Sequence, residues 1–259
     1  MINTPLIYMD GSFASDGYVT AKYTGDKKCK MEIRHDGNAQ NFTVLDKERD
    51  FPLCFGDGEY AIKMYEQTEG EKYRQIPGTT LNLTVKLASE FAPYLHPNTY
   101  CMYDKSSMVY ALMQSLKHQM QGKSDVECVE IIYRWVCDNT KYDMELAKTV
   151  ESWWLPHPDR VIADGKTICW GYSSLVAAMC RITEICRIAG IPCRIVVGRA
   201  MGGKHAWNEI YTKTAGFVDG IRFESDRWNR MDITLMDGTD GKARDMVADD
   251  DNYISEYLG

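Results

Sequence analysis

The feature that most constrains this chain is a change of hydrophobic period close to residue 100. Before it, apolar and polar residues alternate in short bursts, the period of half-buried strands. Val19, Ala21 and Tyr23 share one face, as do Cys29, Met31 and Ile33, then Tyr60, Ile62 and Met64, then Leu81, Leu83, Val85 and Leu87. Turn residues separate the bursts at Asp10-Gly11, Thr24-Gly25-Asp26, Asp36-Gly37-Asn38, Gly56-Asp57-Gly58 and Pro77-Gly78, where glycine and asparagine tolerate the backbone a tight bend needs. The pattern predicts an antiparallel β-sandwich of the immunoglobulin-like sort.

Past residue 104 the spacing becomes helical. Lys105 to Gln121 places Met108, Leu112, Met113 and Leu116 on one face, with Gly122 as the stop. Ser124-Asp125-Val126-Glu127 is a capping box ahead of Val129, Ile132, Trp135 and Val136, which predicts a second helix to about Asn139. Pro93 and Pro97 interrupt both periods, so the linker falls within 88–104. The fold class is therefore α+β, with a sandwich domain over 1–90 and an α+β domain over 91–259. A length of 259 residues, where one core stops growing, agrees with two domains.

Charge and composition exclude several classes of partner. With 30 Lys and Arg against 37 Asp and Glu, the net charge is -7, and no basic field exists to draw in nucleic acid or an anionic membrane. The first apolar run, Leu6 to Met9, is too short for a signal-peptide core. No stretch approaches the roughly 18 apolar residues of a membrane span. The nine cysteines are an odd set without a CxxC pair, and most lie in apolar periodic segments, so they read as reduced, buried thiols of a cytoplasmic protein, provided no leader has been removed. The five histidines show no zinc-type spacing, and neither a metal nor another cofactor is expected. Oligomeric state is not legible.

The chemistry concentrates in the second half. Gly165 to Leu175 leads into a helical pattern through Leu175, Met179, Ile182 and Cys186, ended by Gly190 and Ile191-Pro192. Cys169 thus falls at the first turn of a buried helix, where unpaired amides and the dipole favour an anion. Cys193 to Gly198 and His205 to Tyr211 read as strands, and Trp228 to Thr234 as a third in the same sheet. His205 opens its strand and Asp232 lies late in its own, so antiparallel neighbours bring the two side chains together. Singly, each has a duller reading: Cys169 as a small buried residue, His205 as a strand end, Asp232 as a turn former. Cys180, Cys186 and Cys193 read as core, His157 as a loop residue and Asp249-Asp250-Asp251 as a solvated acidic turn. All six tryptophans follow residue 134, and Trp170, Trp207 and Trp228 lie beside the three candidates, which suggests an aromatic-walled cleft.

Cys169-Trp170-Gly171-Tyr172 leading a helix, Gly190-Ile191-Pro192-Cys193-Arg194 beginning a strand, His205-Ala206-Trp207-Asn208-Glu209, and Trp228 followed by Asp232 and Thr234 resemble, in that order, the transglutaminase-like superfamily. The resemblance spans about residues 124 to 235 and takes in Ile131 to Val136 and Lys141-Tyr142-Asp143. It implies a papain-like α+β domain with Cys169 as nucleophile, His205 as its base and Asp232 orienting the histidine. The connection from Tyr211 to Trp228 is longer than the family's usual short hairpin. Trp170, Trp207, Trp154 and Tyr142 are the candidate substrate contacts. The Cys169 backbone amide is one oxyanion donor, with Tyr142, Trp153 or Trp154 as the side-chain donor.

The implied activity is thiol-dependent acyl transfer on a peptide bond or side-chain amide of a protein or peptide substrate, as peptidase, amidase or transglutaminase. The other reading is a catalytically silent member whose cleft binds a peptide. The chain shows no calcium loop and none of the C-terminal sandwich domains that animal transglutaminases carry, so hydrolysis is expected over crosslinking.

Overall fold

The computed structural model describes residues 1–151, 153–183, 190–237 and 243–259. The chain divides into two compact units, Met1–Thr99 and Tyr100–Gly259. Residues 91 to 99 go with the first unit, although the prolines suggest an earlier boundary. The Thr99 amide donates to the Asp50 carbonyl at 2.8 Å, and the Tyr94 hydroxyl to the Cys54 carbonyl at 3.4 Å, which tie this stretch to the strands before it.

The first unit holds β1 (Ile2–Asn3), β2 (Ile7–Asp10), β3 (Tyr18–Tyr23), β4 (Cys29–His35), β5 (Asn38–Val44), β6 (Arg49–Pro52), β7 (Gly58–Glu69) and β8 (Lys72–Val85). They form two antiparallel four-stranded sheets, ordered β1-β2-β3-β6 and β5-β4-β7-β8. The period-two sets become inner faces: Val19, Ala21 and Tyr23 from one sheet, and Met31, Ile33, Ile62 and Met64 from the other, are all buried. The faces meet where Phe42 of β5 stands edge-on to Phe51 of β6 at 5.5 Å between ring centroids. Asp36 and Gly37, at φ 44° and 82°, make the two-residue turn between β4 and β5, whose left-handed backbone matches the strand twist.

The second unit begins with α1 (Met108–Met120) and α2 (Asp125–Asn139). The capping box forms as expected: the Ser124 amide donates to the Glu127 carboxylate at 2.9 Å, and the Glu127 amide to the Ser124 hydroxyl at 3.3 Å. Helix α1 starts later than Lys105, because Asp104 closes a local turn in which its carboxylate accepts the Ser106 amide at 2.6 Å and its own amide donates to the Ser107 hydroxyl at 2.9 Å. Its buried stripe is Val109, Met113, Leu116 and Met120, whereas Met108 is exposed and Leu112 half-buried. Met113 and Leu116 belong to both the expected face and the buried one, and the Asp159 carboxylate, accepting the Val109 amide at 3.0 Å, anchors the start of the helix with Val109 inward and Met108 outward.

There follow β9 (Lys141–Tyr142), α3 (Met144–Thr149), α4 (Pro158–Asp164), β10 (Lys166–Thr167), α5 (Cys169–Arg181), β11 (Cys193–Ala200), β12 (Gly203–Thr212), β13 (Gly216–Val218), β14 (Ile221–Phe223), β15 (Arg227–Met231), α6 (Ile233–Asp237), α7 (Arg244–Ala248) and β16 (Tyr253–Leu258). Every residue of α5 from Gly171 to Arg181 is buried. The expected continuation of this helix to Ala189, with Cys186, lies outside the described residues. The central sheet is antiparallel, in the order β15-β12-β11-β16. Helix and sheet are joined by Asn208, whose side-chain amide donates to the carbonyls of Ser173 at 3.0 Å and Arg194 at 3.2 Å.

The long connection after β12 folds into the β13–β14 hairpin, which packs on α2. The Asp219 amide donates to the Glu130 carboxylate at 2.7 Å, and the Tyr133 hydroxyl to Asp219 at 2.8 Å. The pairing of β12 with β15, Tyr211 opposite Trp228 and Asn208 opposite Met231, is unaffected by the insertion.

Candidate active site

Cys169 is the first residue of α5. The residue before it, Ile168, offers no side-chain cap, so the first-turn amides have no capping side chain. This leaves the dipole's positive end at the thiol. The tight entry explains Gly171: a Cβ there would overlap the Thr167 side chain, so the helix starts this close to β10 only with glycine.

His205 lies near the start of β12, and Asp232 follows directly on β15. Since Met231 pairs with Asn208, Asp232 stands level with Trp207 and diagonal to His205, within reach across one strand spacing. The His205 Nε2 is 2.7 Å from the Asp232 Oδ2, and the Asp232 side chain is wholly buried. Cys169 lies close enough to the same imidazole to act on its titration, and with Nε2 engaged by the carboxylate, Nδ1 is the nitrogen left to face sulfur. Burial by itself pushes the imidazolium down, but the Asp232 hydrogen bond, the thiol and the charges of both raise His205 to about 10. An imidazole so held is a cation at neutral pH, next to a sulfur at a helix N-terminus.

Asp232 has two further partners, both missed in the sequence. The Tyr253 hydroxyl donates to its Oδ2 at 2.9 Å, and the Leu235 amide to its Oδ1 at 3.3 Å. Tyr253 arrives on β16, the strand added to the far edge of β11. A Cβ at Gly198 would overlap the Ile254 carbonyl, so glycine there permits the approach.

Of the candidate substrate contacts, Tyr142 pairs with Thr167 across the short β9–β10 ladder and is 41% exposed. Its phenol is raised by burial and by the nearby Cys169, and it remains a hydrogen-bond donor. Trp170 is half-buried between Tyr100, at 5.5 Å, and Trp154, at 6.0 Å. Trp153 is exposed.

Trp207 corrects the expected aromatic wall. It is 1% exposed and packs with Val196, Ala200 and Tyr253, its ring stacked on His205 at 6.2 Å and edge-on to Tyr253 at 4.9 Å. It supports the histidine rather than lining a cleft. Trp228 is also elsewhere: it lies beneath the Arg194 guanidinium at 3.7 Å and pairs with Tyr211, six residues along β12 from His205, about 20 Å at strand rise.

Among the described residues no group of three or more His, Cys, Asp or Glu is arranged to hold a metal, and none of the eight described cysteines is disulfide-bonded. No helix described is long and apolar enough to cross a membrane. Asp250 of the acidic turn is not merely solvated; it pairs with Arg230 at 2.6 Å.

Residues 114–233 match the family model of the transglutaminase-like superfamily. Kyphoscoliosis peptidase of Mus musculus is 30% identical over 138 residues, which cover 47% of this chain and 18% of that protein. The Homo sapiens protein of that name is 28% identical over 130 residues, covering 46% and 17%. The chain therefore matches less than a fifth of the length of these relatives. A solved structure of a "Putative Cysteine Protease" from Cytophaga hutchinsonii aligns with 100% of this chain and 73% of its own, at 16% identity and a TM-score of 0.44.

Proposed function

We propose, from the match of residues 114–233 to the transglutaminase-like superfamily, that the protein is a cysteine-dependent enzyme of acyl transfer, acting on a peptide or side-chain amide through Cys169, His205 and Asp232. The observation that carries the reading is the imidazole bound to the Asp232 carboxylate at 2.7 Å, with Cys169 at the start of α5 near enough to act on its titration. The likeness to kyphoscoliosis peptidases supports a peptide substrate.

In this mechanism the Cys169 sulfur, its proton on His205, attacks the amide carbonyl carbon. The carbonyl π electrons move to oxygen, and the oxyanion meets the Cys169 amide and the Tyr142 hydroxyl. Tyr142 is preferred to Trp153 and Trp154 as that donor because it lies in the field of the thiol. The C–N bond then breaks as the imidazolium gives its proton to the leaving nitrogen, which leaves a thioester. Water, deprotonated by His205, attacks the thioester, and the sulfur departs to regenerate the starting pair. Asp232 keeps the ring oriented throughout and offsets its charge.

Water is favoured over an amine as acceptor because the thiol is only half-buried and Tyr142 beside it is 41% exposed; amine transfer calls for a site that excludes water.

The test has two parts. With a thiol-reactive amide at pH 6 to 7 and peptide mapping, Cys169 is expected to react far faster than the other eight cysteines; equal rates reject it as the nucleophile. Incubation with casein and a labelled primary amine then separates outcomes. Ammonia or new termini, absent in Cys169→Ala, support hydrolysis, whereas stoichiometric amine incorporation makes the enzyme a transferase.

A further inference from the structure

We infer that Tyr253 is a positioning residue of the site: its hydroxyl holds the Asp232 carboxylate in place and sets how strongly that carboxylate binds the His205 imidazolium. The inference rests on the Cys169-His205-Asp232 reading above. Tyr253 lies outside the matched residues 114–233, on the strand that follows them.

The geometry is specific. Two donors converge on one oxygen, His205 Nε2 at 2.7 Å and the Tyr253 hydroxyl at 2.9 Å, while Oδ1 takes only the Leu235 amide at 3.3 Å. The carboxylate is wholly buried, so no water competes for Oδ2. A donor on the same oxygen draws off charge that otherwise goes to the imidazolium, and it fixes the plane in which the carboxylate lies. Tyr253 is itself fixed. Its ring is edge-on to Trp207 at 4.9 Å, and Trp207 stacks on His205. The Arg230 guanidinium, pinned by Asp250 at 2.6 Å, covers the other part of the ring at 4.2 Å. A cation over a phenol strengthens its O–H as a donor. Burial and the Asp232 charge keep the phenol protonated, so the hydroxyl remains a donor wherever the enzyme works.

A sign follows. Removing the hydroxyl leaves the carboxylate less compensated, most of all when His205 is neutral, so the imidazolium gains and the His205 titration moves up. A stronger donor at the same place moves it down. A purely structural tyrosine moves it neither way.

The experiment follows the His205 ring proton resonance by NMR in a Cys169→Ala background. There the loss of the thiol removes one of the groups that raise His205, bringing its titration into reach. His205→Gln identifies the resonance. Tyr253→Phe keeps the ring and is expected to raise the midpoint by roughly 0.5 to 1 unit, and site-specific 3,5-difluorotyrosine at 253 to lower it. In the chain with Cys169 intact, Tyr253→Phe should also slow Cys169 alkylation about three- to ten-fold. Unchanged midpoints in both variants overturn the inference, even if alkylation falls. If Tyr253→Phe does not fold, the fluorinated protein decides by its shift. If Cys169 shows no preferential alkylation while the midpoints still move, the proposed function fails and the role of Tyr253 toward Asp232 stands.

Discussion

Cys169 stands between two walls of opposite construction. On one side, His205, Asp232, Tyr253 and Trp207 form a closed set in which Asp232 is wholly buried and Trp207 1% exposed. Each polar group named there has its hydrogen bond, apart from the Trp207 indole nitrogen. On the other side, Tyr142, which feels the Cys169 charge, is 41% exposed, Trp154 and Trp170 pack on each other at 6.0 Å and are half-buried, and Trp153, next to Trp154 in the chain, is 46% exposed. In the proposed mechanism the closed wall would fix the direction of a proton, which demands dry and rigid groups. Substitutions in the closed wall should therefore change chemistry and stability together, and those in the open wall should change recognition alone.

The largest effect expected is on reactivity. His205→Ala should slow Cys169 alkylation at pH 6 to 7 by about 10² or more, and Asp232→Asn by about 10, because the carboxylate acts only through the ring. Equal losses in the two variants break the assignment of roles. Asp232→Asn should also lower unfolding free energy by about 2 to 3 kcal/mol in urea titrations, since a buried oxygen that accepts two donors at 2.7 and 2.9 Å is replaced by an amide that meets both less well.

Next in size is a pH effect. His205 is raised from 6.5 in the unfolded chain to about 10 in the fold. Its contribution to stability is fully present below pH 6.5 and is lost as pH rises toward 10. The difference in unfolding free energy between the natural protein and His205→Gln should shrink by a few kcal/mol across that window. A difference that grows with pH contradicts the raised imidazolium. Smaller again is Gly171→Ala, whose Cβ overlaps Thr167 and should cost about 1 to 3 kcal/mol, with Cys169 alkylation slowed because the first turn of α5 moves.

The closed wall was partly legible in the sequence for a physical reason. Cys169, His205 and Asp232 owe their positions to backbone rules, a helix start and an antiparallel register, and those rules leave periodic traces. Tyr253 owes its position to β16 pairing with a strand far back in the chain, through a register shift between Val197 and Gly198, and no local pattern encodes that. Trp207 is not legible as a support because an aromatic two residues from a candidate histidine serves equally as wall or as support, and three of the residues packed around it, Tyr253, Leu235 and Leu258, come later in the chain. Strands β3, β4 and β7 of the first unit were legible because their buried residues follow period two. The α1 stripe was half legible: Met113 and Leu116 are buried as expected, whereas Val109 and Met120 take the places of Met108 and Leu112, because apolar residues flank the stripe on both sides.

The smallest predicted effect sharpens the comparison most. Trp153 is 46% exposed, so Trp153→Ala removes area that is already largely in water and should change unfolding free energy by no more than about 0.5 kcal/mol. A small electrophile such as iodoacetamide needs no contact beyond the sulfur, and its rate at Cys169 should be unchanged within about two-fold. If the proposed peptide substrate rests on the open wall, loss of an aromatic contact of this size should raise KM about three- to ten-fold with kcat nearly constant, the signature of binding shared equally by ground and transition states. A matched fall in kcat and in iodoacetamide rate instead means that Trp153 orients the thiol or its oxyanion donor, and the open wall then belongs to the chemistry as much as the closed one.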